Sequence, residues 1–357
     1  MSFFTKDNRS AIEAIEYAQW IAFAPMVFQA TRILKSTGIL FFVNSKGIEG
    51  TSIEEIVENV SLPHYGVRVL LESGLGIGLL TRNNDQYAIT KTGFFILSDK
   101  MTEANMGFTH DVCYQALFYL EDSIKNERPE GLKIFGDWET VYGGLSQLPE
   151  NVQKSWFAFD HFYSDDAFPI ALPLVFKNKI QKILDIGGNT GKWALQCASF
   201  DPKVQIVIVD LKGQLNMAKQ KIEQTGFGNR ISFIEGNILD DTQELPKGFD
   251  AIWMSQFLDC FSEKEIISIL GRCYNALEEG GSLFILEPFW DLQNFKAGAF
   301  SLQQTSLYFT AIANGNSQMY DSQVFLKCID AANFSVEEQI NQIGVCQTLI
   351  KCKKKDK

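Results

Sequence analysis

The sequence predicts an α/β protein: a doubly wound, mostly parallel sheet closed by a C-terminal antiparallel hairpin, preceded by a mostly helical N-terminal domain. Three observations predict it. From 176 onward short apolar runs alternate with amphipathic stretches, the pattern of strands joined by crossover helices. One of those runs passes straight into a glycine turn and a helix, Ile183-Leu-Asp-Ile-Gly-Gly-Asn-Thr-Gly-Lys-Trp193. Residues 51–90 follow another grammar, two helical patterns and then two short strands.

Length and charge bound the function. A chain of 357 residues is too long for one ordinary core and suits two domains. Its net charge of -11 argues against a nucleic-acid partner, because phosphate binding needs clustered Lys and Arg. The seven cysteines form no C-x-x-C pair, so reduced thiols in a cytoplasmic protein are expected. Met1 to Ala11 are polar and mixed in charge, unlike a signal peptide, and no apolar run is long enough to span a bilayer.

Residues 12–38 carry apolar side chains at helical spacing, with Pro25 expected to break or kink the helix. Trp20, Phe23, Met26 and Phe28 make this stretch more apolar than a lone surface helix needs. It is buried either in its own domain or against a second copy of the chain. Thr51-Ser-Ile-Glu-Glu is a capping signal for a helix to Val60, and Leu62-Pro63 starts another that ends at Gly78. Leu79–Thr81 and Tyr87–Thr90, joined by Asn83-Asn-Asp85, make a hairpin. Together these elements spell a winged helix. Glu54, Glu55, Glu58, Glu72 and Asp85 outnumber Arg68 and Arg82, so a DNA phosphate surface is missing and a dimer-forming role is favoured.

Residues 101–168 read as aromatic-rich helices. Trp156, Phe159, Asp160, Phe162 and Tyr163 lie close together there, either as plain core or as the roof of a substrate pocket. In the glycine turn, Gly187 and Gly188 permit a sharp bend and close approach of a ligand. Asn189 tolerates a left-handed conformation, and Gly191 lets the helix pack on the sheet. The N–H groups at that helix start suit a carboxylate or phosphate, although such a turn also occurs with no ligand. A dinucleotide fingerprint would read G-x-G-x-x-G, and this stretch does not.

After the turn, strands are expected at 204–209, 231–234, 249–254 and 282–286, with helices at 214–225, 263–277 and 321–332. Strands near 336–340 and 346–350 have no helix between them and should pair as a hairpin. Asp210 ends its strand about 20 residues after the glycine turn, where a carboxylate commonly grips ribose hydroxyls. Asn237 and Ile238 follow the next strand and could meet the edge and face of an adenine. Asp259 and Glu287 follow the fourth and fifth strands, which places both at the cleft rim. A pair of acids there is a candidate for proton transfer, because repulsion and burial raise one pKa.

These pieces resemble the plant-type and bacterial small-molecule O-methyltransferases that use S-adenosylmethionine, the caffeic-acid, acetylserotonin and polyketide-tailoring enzymes. The likeness covers nearly the whole chain and is strongest at Leu184-Asp-Ile-Gly-Gly-Asn-Thr-Gly191, Val209-Asp-Leu211, Gly236-Asn-Ile238 and Ala251-Ile-Trp-Met-Ser-Gln-Phe-Leu-Asp-Cys-Phe-Ser-Glu263. It implies a dimerisation domain at 1–100 and a methyltransferase domain at 101–357, divided into a connector (101–175) and a Rossmann-like sheet (176–357). It also implies cofactor contacts at Asp185, Gly187, Gly188, Asn189, Gly191, Asp210, Leu211, Asn237, Ile238, Ser255 and Gln256, with the acid Asp185 meeting the cofactor's amino group.

Where the family carries a catalytic His, this chain has Asp259, beside the family acid at Glu287. Its Asp after the third-strand glycine is Asn237 here, and its Lys and aromatic near the adenine fall on Ser255 and Gln256. A second acid, before the last helix, falls near Gln318 or Met319 and is absent. Cofactor binding therefore carries over well, and the His-base mechanism does not. The reading is a homodimeric methyltransferase acting on a small aromatic or conjugated acceptor at oxygen, without a metal, since no His/Cys cluster is present. Its alternative is a protein that kept the fold for ligand binding or regulation.

Overall fold

The computed structural model describes residues 3–355, and its chain divides after Gly107 into two compact units. The division falls inside the helix Lys100–Phe108 rather than at 100.

In the first unit the helix Ala11–Ser36 opens with a capping box, Ser10 and Glu13 each accepting the other's backbone N–H. Pro25 does not end this helix. The ring removes one backbone donor, and the turns on either side carry the helix through. The helix Ile53–Asn59 starts from a second capping box, Ser52 with Glu55, and His64–Ile77 follows it. Strands β1 (Leu80–Asn83) and β2 (Gln86–Ile89) pair antiparallel around Asn84 and Asp85, both at positive φ, as a tight two-residue hairpin turn requires. Leu34, Leu40, Val43, Ile56, Leu71 and Tyr87 form the core beneath them. Every residue from 11 to 26 of the first helix is exposed.

The second unit is built on seven strands: β3 (Lys182–Ile186), β4 (Gln205–Asp210), β5 (Ile231–Glu235), β6 (Phe249–Ser255), β7 (Leu277–Pro288), β8 (Phe334–Ile343) and β9 (Gln347–Lys354). Their order is β5-β4-β3-β6-β7-β9-β8. The first five are parallel; β9 joins β7 antiparallel and pairs with β8 as the closing hairpin. Successive side chains alternate between two cores. Leu184, Ile252 and Leu283 enter one, and Ile183, Ala251 and Phe284 enter the other. The order reverses between β3 and β6, so their carboxyl ends open the crevice where doubly wound sheets bind ligands.

A segment the pattern reading passed over is the helix Lys296–Tyr308 with the π-helical turn Phe309–Ala313. Its small and polar residues show no apolar stripe. Leu302, Tyr308, Phe309 and Ile312 pack with Phe108, Val112, Leu145 and Val152, so the helical connector is completed by chain that returns from beyond β7.

Candidate active site

The turn after β3 takes its shape from left-handed residues at Gly187 (φ 73°), Asn189 (φ 47°) and Gly191 (φ 76°). At Gly187 the ring of Phe257 fills the space a Cβ would need, so that glycine admits a side chain of the protein. At Gly188 a Cβ would lie 2.8 Å from both Asp185 Oδ2 and Ile208 Cγ2. Gly191 is the N-cap of the helix Lys192–Phe200, and a Cβ there would sit 3.0 Å from Ile222 of the neighbouring helix.

Asp210 ties the turn to the next strand. Its Oδ2 accepts the Asn189 N–H at 2.8 Å and its Oδ1 accepts the Leu211 N–H at 2.7 Å. Each oxygen keeps a second lone pair for a hydroxyl. Burial pushes the Asp210 carboxyl up to about 6, against the pull of those two backbone bonds. Leu211 lines a cavity of about 430 Å³ together with Asn237, Tyr142 and Met217. Asn189 lines another of about 70 Å³ together with Asp160, Asp185, Gly187, Gly188, Ser255 and Gln256. Asn237 braces its own loop, its side-chain oxygen accepting the Leu239 N–H at 3.0 Å. Ile238 lies in the sheet core and lines neither cavity.

Asp185 is 1% exposed in a strand whose other inner residues are apolar. Burial, with the charge of Asp210 second, pushes it up to about 8. Such a carboxyl is neutral when alone and ionises opposite a cation. Asp160, on the helix Glu150–Ser164, is pushed up to about 7, by burial first and then by Asp165, with Lys192 opposing.

The rim position expected for Asp259 and Glu287 is corrected by the structure. Both are buried, at 4% and 1% exposure, because β7 runs on to Pro288 and the turn after β6 folds over its end. Glu287 Oε1 accepts the N–H groups of Phe257 and Leu258 at 2.9 and 2.8 Å, and its other oxygen has no partner among the described residues. Burial, reinforced by Asp259, holds its carboxyl well above the usual range. Asp259 accepts the Cys260 thiol at 3.4 Å. Burial pushes it up to about 7; the thiol contact works against that shift and Asp160 adds to it. Asn314 donates to the Cys260 carbonyl, and the Tyr320 hydroxyl donates to the Phe261 carbonyl at 2.6 Å, so the turn is held from three sides.

Of the aromatic group on the connector, Trp156 donates to the Tyr308 hydroxyl at 2.7 Å, Phe159 stacks on Phe108 at 4.0 Å, and Tyr163 tilts on Phe159 at 4.9 Å. Trp156 and Phe159 belong to the connector core, and only Asp160 of that predicted set lines the smaller cavity. Sequence reasoning missed Tyr142, Tyr308 and Asn314. Nothing local marks them, because folding brings them in from distant segments.

The chemistry of the donor set fits a nucleoside that carries an amino-acid end. Asp185 Oδ2, Asn189 Oδ1, Ser255 Oγ and Gln256 Oε1 are buried with no partner among the described residues. All four belong to residues around the smaller cavity, and the Asp185 carboxyl there has no ion-pair partner among the described residues. The larger cavity, lined by Leu211 next to Asp210, has room for a nucleobase. Asp185 and the smaller cavity would hold the ammonium end, and Asp210 the ribose.

Residues 168–335 match the family described as O-methyltransferase domain, and residues 16–87 match the Dimerisation2-like domain. Among similar proteins is an L-tyrosine C(3)-methyltransferase of Streptomyces lavendulae, 22% identical over 328 residues, which are 90% of this chain and 87% of that protein. The S-adenosylmethionine-dependent methyltransferase SibL, solved in its apo form, superposes with a TM-score of 0.71 at 19% identity, covering 95% of this chain and 98% of its own. PigF, solved with S-adenosylhomocysteine (SAH), gives 0.69 at 20% identity, covering 97% and 100%. The chain joins an O-methyltransferase domain to a dimerisation domain. It is a methyltransferase, and S-adenosylmethionine is its cofactor.

Proposed function

We propose that the chain methylates a small aromatic acceptor at a hydroxyl oxygen, with Asp259 as general base and Glu287 as the residue that positions it. The cofactor supplies a methyl group on a sulfonium; the protein must supply an acceptor with a free lone pair. A phenol has a pKa of ~10 and an exposed Asp of ~3.9, a gap of roughly 8 kcal/mol against full proton transfer. Burial raises Asp259 to about 7, which narrows that gap to roughly 4 kcal/mol at ~1.36 kcal/mol per unit. This is the observation that carries the reading.

Two buried carboxyls this close do not both ionise readily. Glu287 is held above the usual range, so it keeps its proton while Asp259 gives up its own near neutrality. Its Oε1, gripping two backbone N–H groups, fixes the turn that aims Asp259. Asp160 faces the same region and lends further repulsion.

Carbon methylation is the second reading. The same proton transfer makes a phenolate whose ring carbon is nucleophilic, and the S. lavendulae relative is named for methylating tyrosine at a ring carbon. Incubation with S-adenosylmethionine carrying a ¹³C methyl and a panel of small phenols separates the two, because the methyl shift of the product distinguishes oxygen from carbon. SAH binding with no labelled product from any acceptor would support the ligand-binding alternative.

We further propose that the working unit is a homodimer. Ile12, Ile15, Phe23 and Met26 are all more than half exposed and fall on one side of one helix, an apolar face that a second copy would cover. Light scattering at micromolar concentration is expected to give twice the chain mass of 40.3 kDa. The monomer mass would contradict it.

A further inference from the structure

We propose that the indole N–H of Trp193 donates a hydrogen bond to the carboxylate at the amino-acid end of the cofactor. Trp193 follows the glycine turn directly and is 2% exposed. Its ring stacks on Trp253 at 3.7 Å and 10°, and the edge of Phe168 packs against it at 5.4 Å. A ring clamped in this way cannot swing to find a partner. Its Nε1 is nonetheless buried with no acceptor among the described residues. Buried indole N–H groups normally find one, because leaving the donor unpaired forfeits its hydration without compensation.

Trp193, Trp253 and Phe168 all line the smaller cavity. Strand register places Asp185 beside Trp253, so the buried acid and the tryptophan stack share one face of the sheet. The unpartnered groups around this cavity divide by chemistry. Asp185 Oδ2, Asn189 Oδ1 and Gln256 Oε1 accept, as an ammonium requires, while Trp193 Nε1 and the Ser255 hydroxyl can donate, as a carboxylate requires. An α-amino acid carries both groups on one carbon. Lys192, the cation that lines the cavity, is engaged with Asp165 at 2.6 Å, so a neutral donor is left for the carboxylate. The inference rests on cofactor binding and is independent of which acceptor is methylated.

The test compares two ligands by calorimetry, SAH and its decarboxylated analogue S-adenosyl-3-thiopropylamine, which keeps the ammonium. Trp193→Phe retains an aromatic ring in the stack and removes the donor. It is expected to weaken SAH by about 10-fold or more, as for a bond to a charged acceptor, and to leave the analogue's affinity as in the wild type. Unchanged SAH affinity would overturn the assignment. Equal weakening of both ligands would also overturn it, since the indole would then act through packing or through Asp185. Should the variant not fold, indole N–H resonances of the wild-type protein give the answer. The Trp193 signal should move downfield with SAH and stay in place with the analogue; the same movement with both ligands refutes the proposal.

Discussion

The two halves of the cleft are made differently. The cofactor half is built mainly on consecutive chain, from β3 through the glycine turn and the helix start at Lys192 to the carboxylate at the end of β4, with Asp160, Ser255 and Gln256 brought to it from elsewhere. The proposed acceptor half is collected from the helix Glu150–Ser164, the turn after β6, the end of β7 and the π-helical turn at Phe309. One half is held mainly by backbone geometry, the other mainly by side chains. Substitutions in the first should therefore destroy binding, and substitutions in the second should alter chemistry.

The largest effect on binding is expected at Gly188. Valine there would drive its Cβ against Asp185 and Ile208. Binding of SAH should become undetectable by calorimetry while the circular dichroism spectrum is kept. Measurable binding would mean that the turn is softer than its packing implies.

Asp210→Ala comes next. It deletes a carboxylate that accepts two backbone N–H groups and is proposed to hold the ribose. Charge-assisted bonds contribute roughly 1.5–3 kcal/mol, so SAH affinity should fall ~10- to 150-fold. Wild-type affinity would remove Asp210 from the ribose site.

The smallest expected effect is on stability. Burial holds Asp160 and Asp259 at about 7 and Asp185 at about 8, whereas in the unfolded chain they titrate near ~3.9. Between those values the folded chain binds more protons than the unfolded one, so stability falls as pH rises through that window. The melting temperature of the ligand-free protein should be lower at pH 8 than at pH 6, and Asp185→Asn should flatten the slope. A melting temperature that rises with pH over this range would contradict the burial of these acids.

The same contrast explains what the sequence disclosed. Strand alternation, the glycine turn, the acid at the end of β4 and both capping boxes are local signals, each readable within about ten residues. The closing hairpin was legible because no helix separates Ile340 from Cys346. Three features were not legible. Pro25 suggested a break or a kink, and the flanking turns carry the helix through without a break. The helix Lys296–Tyr308 has no apolar stripe, because it buries Ala299, Leu302 and Tyr308 among small and polar neighbours. The depth of Asp259 and Glu287 depends on how β7 and the turn after β6 overlap, a contact between segments about thirty residues apart.

The central claim is that the acceptor half carries its own base, separable from cofactor binding. Single-turnover methyl transfer by Asp259→Asn at saturating cofactor, with SAH affinity measured on the same preparation, tests it most directly. General bases contribute roughly 10²- to 10⁴-fold. The rate should fall by that order with SAH affinity unchanged. A near-wild-type rate on the true acceptor would reduce Asp259 to a structural acid and leave transfer to proximity alone.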